Sequence, residues 1–160
     1  TISLIAAGGS TWAQSSVQNG TVFDDWQLSC SAPAVNQTVC NISQSLSVKE
    51  TGEFIAEVSL QPIVADGKDA MVLALSTPTN MLLTIRPGYK VGTNPDTQPL
   101  EWRTCSETNC LASRVMQLDE VQALKKGTKI VMGYQSVAQA EPLTFSVSLK
   151  GVTKGLRALT

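Results

Sequence analysis

The stretch FIAEVSLQP, residues 54–62, alternates apolar and polar side chains almost without interruption. Phe54, Ala56, Val58 and Leu60 fall on one parity, and Glu57, Ser59 and Gln61 on the other. Only a period of two puts those apolar groups on one side of the backbone, so the segment reads as a strand with one buried and one wet face. Pro62, which has no N–H for a ladder, ends or edges it. The same period returns in Trp26, Leu28 and Cys30, in Ile42, Gln44, Leu46 and Val48, and in Leu143, Phe145, Val147 and Leu149. Turn residues separate these runs, which is the pattern of an antiparallel β protein.

Between the strands, SAPAVNQTV reads as a turn region containing Pro33 and Asn36, and KETGE and ADGKD as further turns. MVLALS is a buried strand, and after TPTN the run MLLTI is expected to continue as strand to Arg86. RPGYKV and GTNPDTQP are rich in turn residues, with Tyr89/Val91 set to pair with Leu100/Trp102 across the loop. One segment breaks the period. LDEVQALKKG has Asp119 as an expected N-cap, Val121 and Leu124 at helical spacing, lysines in the last turn and Gly127 beyond it. Val152, Leu156 and Leu159 suit a short C-terminal helical turn, weakened by Gly155. Roughly eight to ten short strands with one helix indicate an all-β sandwich.

The four cysteines lie in two close pairs, Cys30/Cys40 and Cys105/Cys110. Three connectivities are open to four cysteines. Local pairs are favoured because each pair suits adjacent strands or a hairpin. A structural zinc site is the rival. Its ligands stand two to four residues apart within a pair, which Cys105 and Cys110 allow and Cys30 and Cys40 do not. Disulfides imply an oxidising compartment. TISLIAAGGSTWAQ, with small residues at Thr11 and Ala13, resembles the end of a signal peptide cleaved after Ala13; a leader or a shortened membrane anchor is the other reading. Residues 1–20 are thus leader and linker, and residues 21–160 a single domain.

Several functions lose their footing. The chain has no histidine, which removes Ser-His and Cys-His nucleophile activation and histidine metal sites. No metal or other cofactor is expected. With 12 basic and 13 acidic residues there is no basic face for nucleic acid. Lys125, Lys126 and Lys129 form the densest basic cluster and fit a helix C-terminus. No later run reaches the ~20 apolar residues of a membrane span. Nucleophile-elbow, Ser-x-x-Lys and phosphate-loop patterns are absent. Carboxylates at Asp24/Asp25, Glu50/Glu53/Glu57 and Asp66/Asp69 are better explained by turns and a solvated strand face than by a catalytic pair.

DWQLSC and CNISQSLSVKETGE together resemble the invasion-associated locus B family of bacterial envelope proteins. The likeness resumes at RPGY, WRTCSETNCLA, LDEVQALKKGTKI and LTFSVSLKGVTKGLRAL, and covers residues 21–160. Its more specific parts are Cys-x₄-Cys and the Ser-Leu-Lys-Gly ending. The resemblance implies an immunoglobulin-like sandwich in a Gram-negative bacterium, exported to the periplasm or the outer membrane and cell surface. It also implies a part in invasion of host cells, erythrocytes included, and it carries over no catalytic residue. A non-enzymatic protein that binds a host-cell surface component or another envelope protein is the leading expectation. A periplasmic stability factor and an envelope-polymer enzyme are the alternatives. Loops on a rigid sandwich often carry recognition, so Arg86, Tyr89, Lys90 and Trp102, around the polar loop 86–99, are the expected contact residues.

Overall fold

The computed structural model of the chain describes residues 18–159. The expected cleavage site after Ala13 lies outside them. The first half is a run of hairpins: β1 (Val22–Phe23), β2 (Trp26–Ala34), β3 (Gln37–Ser47), β4 (Phe54–Ala65) and β5 (Lys68–Thr77). Next come β6 (Gly88–Val91), β7 (Gln98–Pro99), β8 (Glu101–Cys105) and β9 (Cys110–Met116). Helix α1 (Leu118–Lys126) precedes β10 (Lys129–Tyr134) and β11 (Leu143–Ser148), and helix α2 (Val152–Ala158) follows. All pairing between strands is antiparallel, in two sheets ordered β1-β2-β3-β4-β5-β9-β8 and β11-β10-β6-β7. The fold is the expected all-β sandwich with two short helices. Among the described residues no helix is long and apolar enough to cross a membrane.

Alternation builds the core. The larger sheet buries Leu28, Ile42, Val58, Leu60, Leu73 and Leu75; the smaller one buries Tyr89, Ile130, Met132 and Val147. Each large aliphatic side chain removed from water contributes about 1.5–3 kcal/mol. Phe54, on the same parity, is only partly covered because it starts its strand at the rim.

Turn chemistry sets the registers. Asp66 and Gly67, both at positive φ, join Ala65 to its partner Lys68 in a two-residue hairpin. Asn36, at φ 60°, does similar work between Ala34 and Gln37. Most of SAPAVNQTV is therefore strand, and the turn shrinks to Val35 and Asn36. Pro33 is accommodated where the β2–β3 register shifts between Ser31 and Ala34. Pro62 does not end its strand. It pairs with Met71 on β5, and the β3–β4 pairing stops at Leu60, so its missing N–H leaves no bond unmade on that side. MLLTI is not a continuing strand either. Positive φ at Asn80 breaks the extended run, Met81 makes a single bridge to Ser136, and Leu83 and Ile85 stay exposed in a turn.

The helices also differ from expectation at their edges. Helix α1 starts at Leu118 with Gln117 as its N-cap, two residues before Asp119, because Glu120 Oε2 accepts the Gln117 N–H at 2.8 Å. In α2 the glycine has a packing reason. A Cβ on Gly155 would stand 2.9 Å from Ile42 Cδ1, so its absence lets the helix lie close on β3.

Disulfides join Cys30 to Cys40 and Cys105 to Cys110, in each case directly cross-strand partners. A side-chain clasp closes the seam between the sheets. Gln44 lies on the inward parity of β3, and its Nε2 donates to Ser148 O and Asp25 O, both at 3.1 Å. Its Oε1 accepts the Ser148 N–H at 3.1 Å, and Trp26 Nε1 donates to the same Ser148 carbonyl at 2.9 Å. The amide thus acts as a short piece of neighbouring strand for the outer edge of β11. Gln44→Leu strands the Ser148 N–H and should lower the unfolding free energy by about 2 kcal/mol in urea titration. A loss below about 0.5 kcal/mol, the range of neutral surface changes, would mean that water replaces the clasp.

Candidate contact surface

Strand β6 sends its side chains to opposite faces. Tyr89 goes inward, while Gly88 and Lys90 face out. On β10 the outward residues are Lys129, Val131 and Gly133, and on β11 Thr144 and Ser146. The register places Gly88 opposite Gly133, and Gly133 opposite Thr144. The two facing glycines lower the middle of this outer face, where Thr97 stands over Gly88 and Thr144 borders Gly133. The result is a trough of about 600 Å³. Ile85, Val131, Pro99 and Pro142 give it apolar walls, and Arg86 and Lys90 supply its charge. Gly88 has little freedom to change, since a Cβ there would meet Thr97 Cγ2 at 2.7 Å.

Of the four expected contact residues, the structure brings only Arg86 and Lys90 to this trough. Arg86 Nη1 pairs with Glu101 Oε1 at 2.7 Å, with both side chains more than half exposed, a geometry worth little in stability. Tyr89 lies outside the trough's lining. It is 2% exposed, and its hydroxyl donates to Glu120 Oε1 at 2.9 Å. Burial first, then the Glu120 carboxylate, push its pKa far above the usual phenol range. Alternation decides this: an aromatic between Gly88 and Lys90 takes the core side. Trp102 does not pair across the loop. It sits in the other sheet opposite Ala112, with its Nε1 donating to Ile85 O at 3.0 Å. The 86–99 loop is itself a hairpin of the smaller sheet, with Tyr89 opposite Gln98 and Gly88 opposite Pro99.

Beneath the surface lies a polar knot that joins α1 to both sheets. Arg114 occupies the inward parity of β9 and donates from Nε to Glu120 Oε1 at 2.7 Å, from Nη2 to Gln98 Oε1 at 3.1 Å and from Nη1 to Pro99 O at 3.3 Å. Burial acts to raise the Glu120 pKa, but the guanidinium, the Gln117 N–H and the Tyr89 hydroxyl outweigh it and hold the carboxyl below its ordinary value. Neither Arg114 nor Glu120 was an expected site residue. The available signal is a charge on the apolar parity of CLASRVM, where cysteine, alanine and methionine are buried. The glycine pair had a signal only once the register between β6 and β10 was known.

The family model for the invasion associated locus B (IalB) protein matches residues 26–160. The chain belongs to the IalB family. Two Invasion protein B homologs of Brucella abortus, from strain 2308 and from biovar 1 strain 9-941, are each 27% identical over 129 residues. Each alignment covers 81% of this chain and 72% of the relative. The crystal structure of invasion associated protein B from Bartonella henselae superposes with a TM-score of 0.73 at 18% identity, covering 87% of this chain and 92% of the other. The IalB fold is thus shared at low identity. The matched region begins at Trp26, the residue that binds the edge of β11, and includes both disulfides.

Proposed function

We propose that this IalB-family protein is a non-enzymatic, exported envelope protein that contributes to invasion of host cells, erythrocytes included, by binding a partner on the outer face of its smaller sheet. The observation that carries the reading is the trough at Gly88 and Gly133. It is a concave, largely apolar surface on a rigid sheet, with the two basic side chains Arg86 and Lys90 in its lining. Two disulfides between cross-strand neighbours suit an oxidising compartment such as the periplasm or the cell surface.

The test fills the trough without touching the core. Val131 points outward from β10, so Val131→Trp occupies the space while keeping a side chain that strands favour. A deletion strain is complemented with the wild-type or the variant gene, and export and surface protease sensitivity are matched. Invasion of host cells should fall about tenfold with the variant, the loss expected for a blocked contact of modest energy. Equal invasion by the two strains, with equal export and an unchanged melting temperature, would overturn the reading.

A further inference from the structure

We infer that the trough takes an extended acidic peptide segment with interspersed aliphatic side chains; this rests on the binding role proposed above and names its ligand. Four residues in register, Pro99, Gly88, Gly133 and Thr144, mark its course across β7, β6, β10 and β11. At a strand spacing of ~4.8 Å this course is about 14 Å long, which an extended chain covers in about four residues. Gly133 presents no side chain to hold a second backbone away, while Thr97 Cγ2 stands over Gly88. The lining contains Lys90 and Arg86, whose guanidinium is ion-paired with Glu101, and no carboxylate of its own. Lys129 projects from the same face of β10, and among the described residues neither Lys90 nor Lys129 has an ion-pair partner. Lys90 also borders a second cleft with Asp96, Asp119 and Glu120, none of which lines the trough. Like-charge repulsion therefore disfavours cationic segments, and complementarity favours acidic ones.

The walls narrow the choice further. Ile85, Val131, Pro99 and Pro142 offer aliphatic contact. A sugar ring would want an exposed aromatic face. Tyr134, the aromatic in the lining, is 5% exposed, and its hydroxyl is held by Ile55 O at 2.8 Å. The trough is open along its length, so an acyl chain lying in it would keep one side in water, whereas a peptide turns its polar groups outward.

The purified protein is titrated into a fluorescent peptide of alternating aspartate and valine, followed by anisotropy. The same peptide with lysine for aspartate and vesicles of phosphatidylglycerol serve as comparison probes. The acidic peptide should bind at least tenfold more tightly than the basic one, with affinity falling as salt rises. Lys90→Glu should weaken it about tenfold or more, Lys90→Met less, and Lys90→Arg should restore it. Equal binding of both peptides, affinity unchanged in Lys90→Glu, or binding to vesicles without binding to peptide would each overturn the inference. Val131→Trp that blocks invasion while the purified protein ignores acidic peptides would overturn the ligand alone and leave the binding role standing.

Discussion

Gly151→Ala should be the most damaging single-methyl change in the described chain, lowering stability by at least about 3 kcal/mol. Two separate penalties add. Gly151 has φ 89°, a left-handed conformation that L side chains rarely adopt. Its missing Cβ would also run into the carbonyl oxygen of Phe23, a backbone atom that cannot rotate away. Around it the Asp25 N–H donates to Lys150 O at 3.3 Å, and Ser148 Oγ donates to Asp25 Oδ2 at 2.6 Å. The segments cannot separate without breaking those bonds. For a domain of this size 3 kcal/mol corresponds to a drop of roughly 6–12 °C in melting temperature, read by calorimetry. Gly155→Ala, against the movable tip of Ile42, serves as the comparison and should cost less. Equal small losses in both variants would mean that the loop before α2 relaxes freely.

Glu120→Ala should remove about 3 kcal/mol, because it leaves the Arg114 guanidinium largely buried without its carboxylate and leaves the N-cap unsatisfied. The pH dependence follows from the same contacts. The folded-state pKa of Glu120 is held below its ordinary value of 4.5. Between the two values the unfolded chain binds the proton and the folded one does not, so folding is weakened as acid is added. The contribution is fully present above 4.5 and is lost as pH falls through the folded-state pKa. Glu120→Gln should be less stable at pH 7 and should lose less stability than the wild type on going from pH 5 to pH 3. Parallel stability curves for the two proteins over that interval would show that Glu120 does not carry the acid sensitivity.

The parts of the fold that repeat every two residues were legible in the sequence. FIAEVSLQP, LTFSVSLKG and the run from Ile42 to Val48 go where their parity sends them. Boundaries were harder, since a strand can extend past a proline when its neighbour has already turned away, as β4 does at Pro62. MLLTI shows the opposite error. An apolar run is no guide when a positive φ at Asn80 breaks it. The contact surface was half legible. Arg86 and Lys90 were found, but parity assigns Tyr89 to the core, and the paired glycines belong to strands about 45 residues apart whose alignment no local pattern encodes. Gln44 and Arg114 are the instructive cases. Each breaks the apolar parity of its strand, and each proves to bind one sheet to the other or to a helix. The Ser-Leu-Lys-Gly ending stood out only by resemblance; its physical reason is the backbone of Phe23.

The meeting of Gly151 with Phe23, and of Ser148 with Trp26 and Gln44, bears on how the chain reaches its native state. Synthesis delivers the first hairpins early. Each disulfide spans only 10 or 5 residues, so each can form as its own hairpin emerges. The β1–β2 edge, by contrast, has nothing to seal it until β11 and α2 arrive, more than 100 residues later. A chain arrested before that point holds stapled hairpins without the contacts that close the sandwich. Final locking is then a late event that waits on β11 and α2, with slow steps expected from long-range docking rather than from the staples.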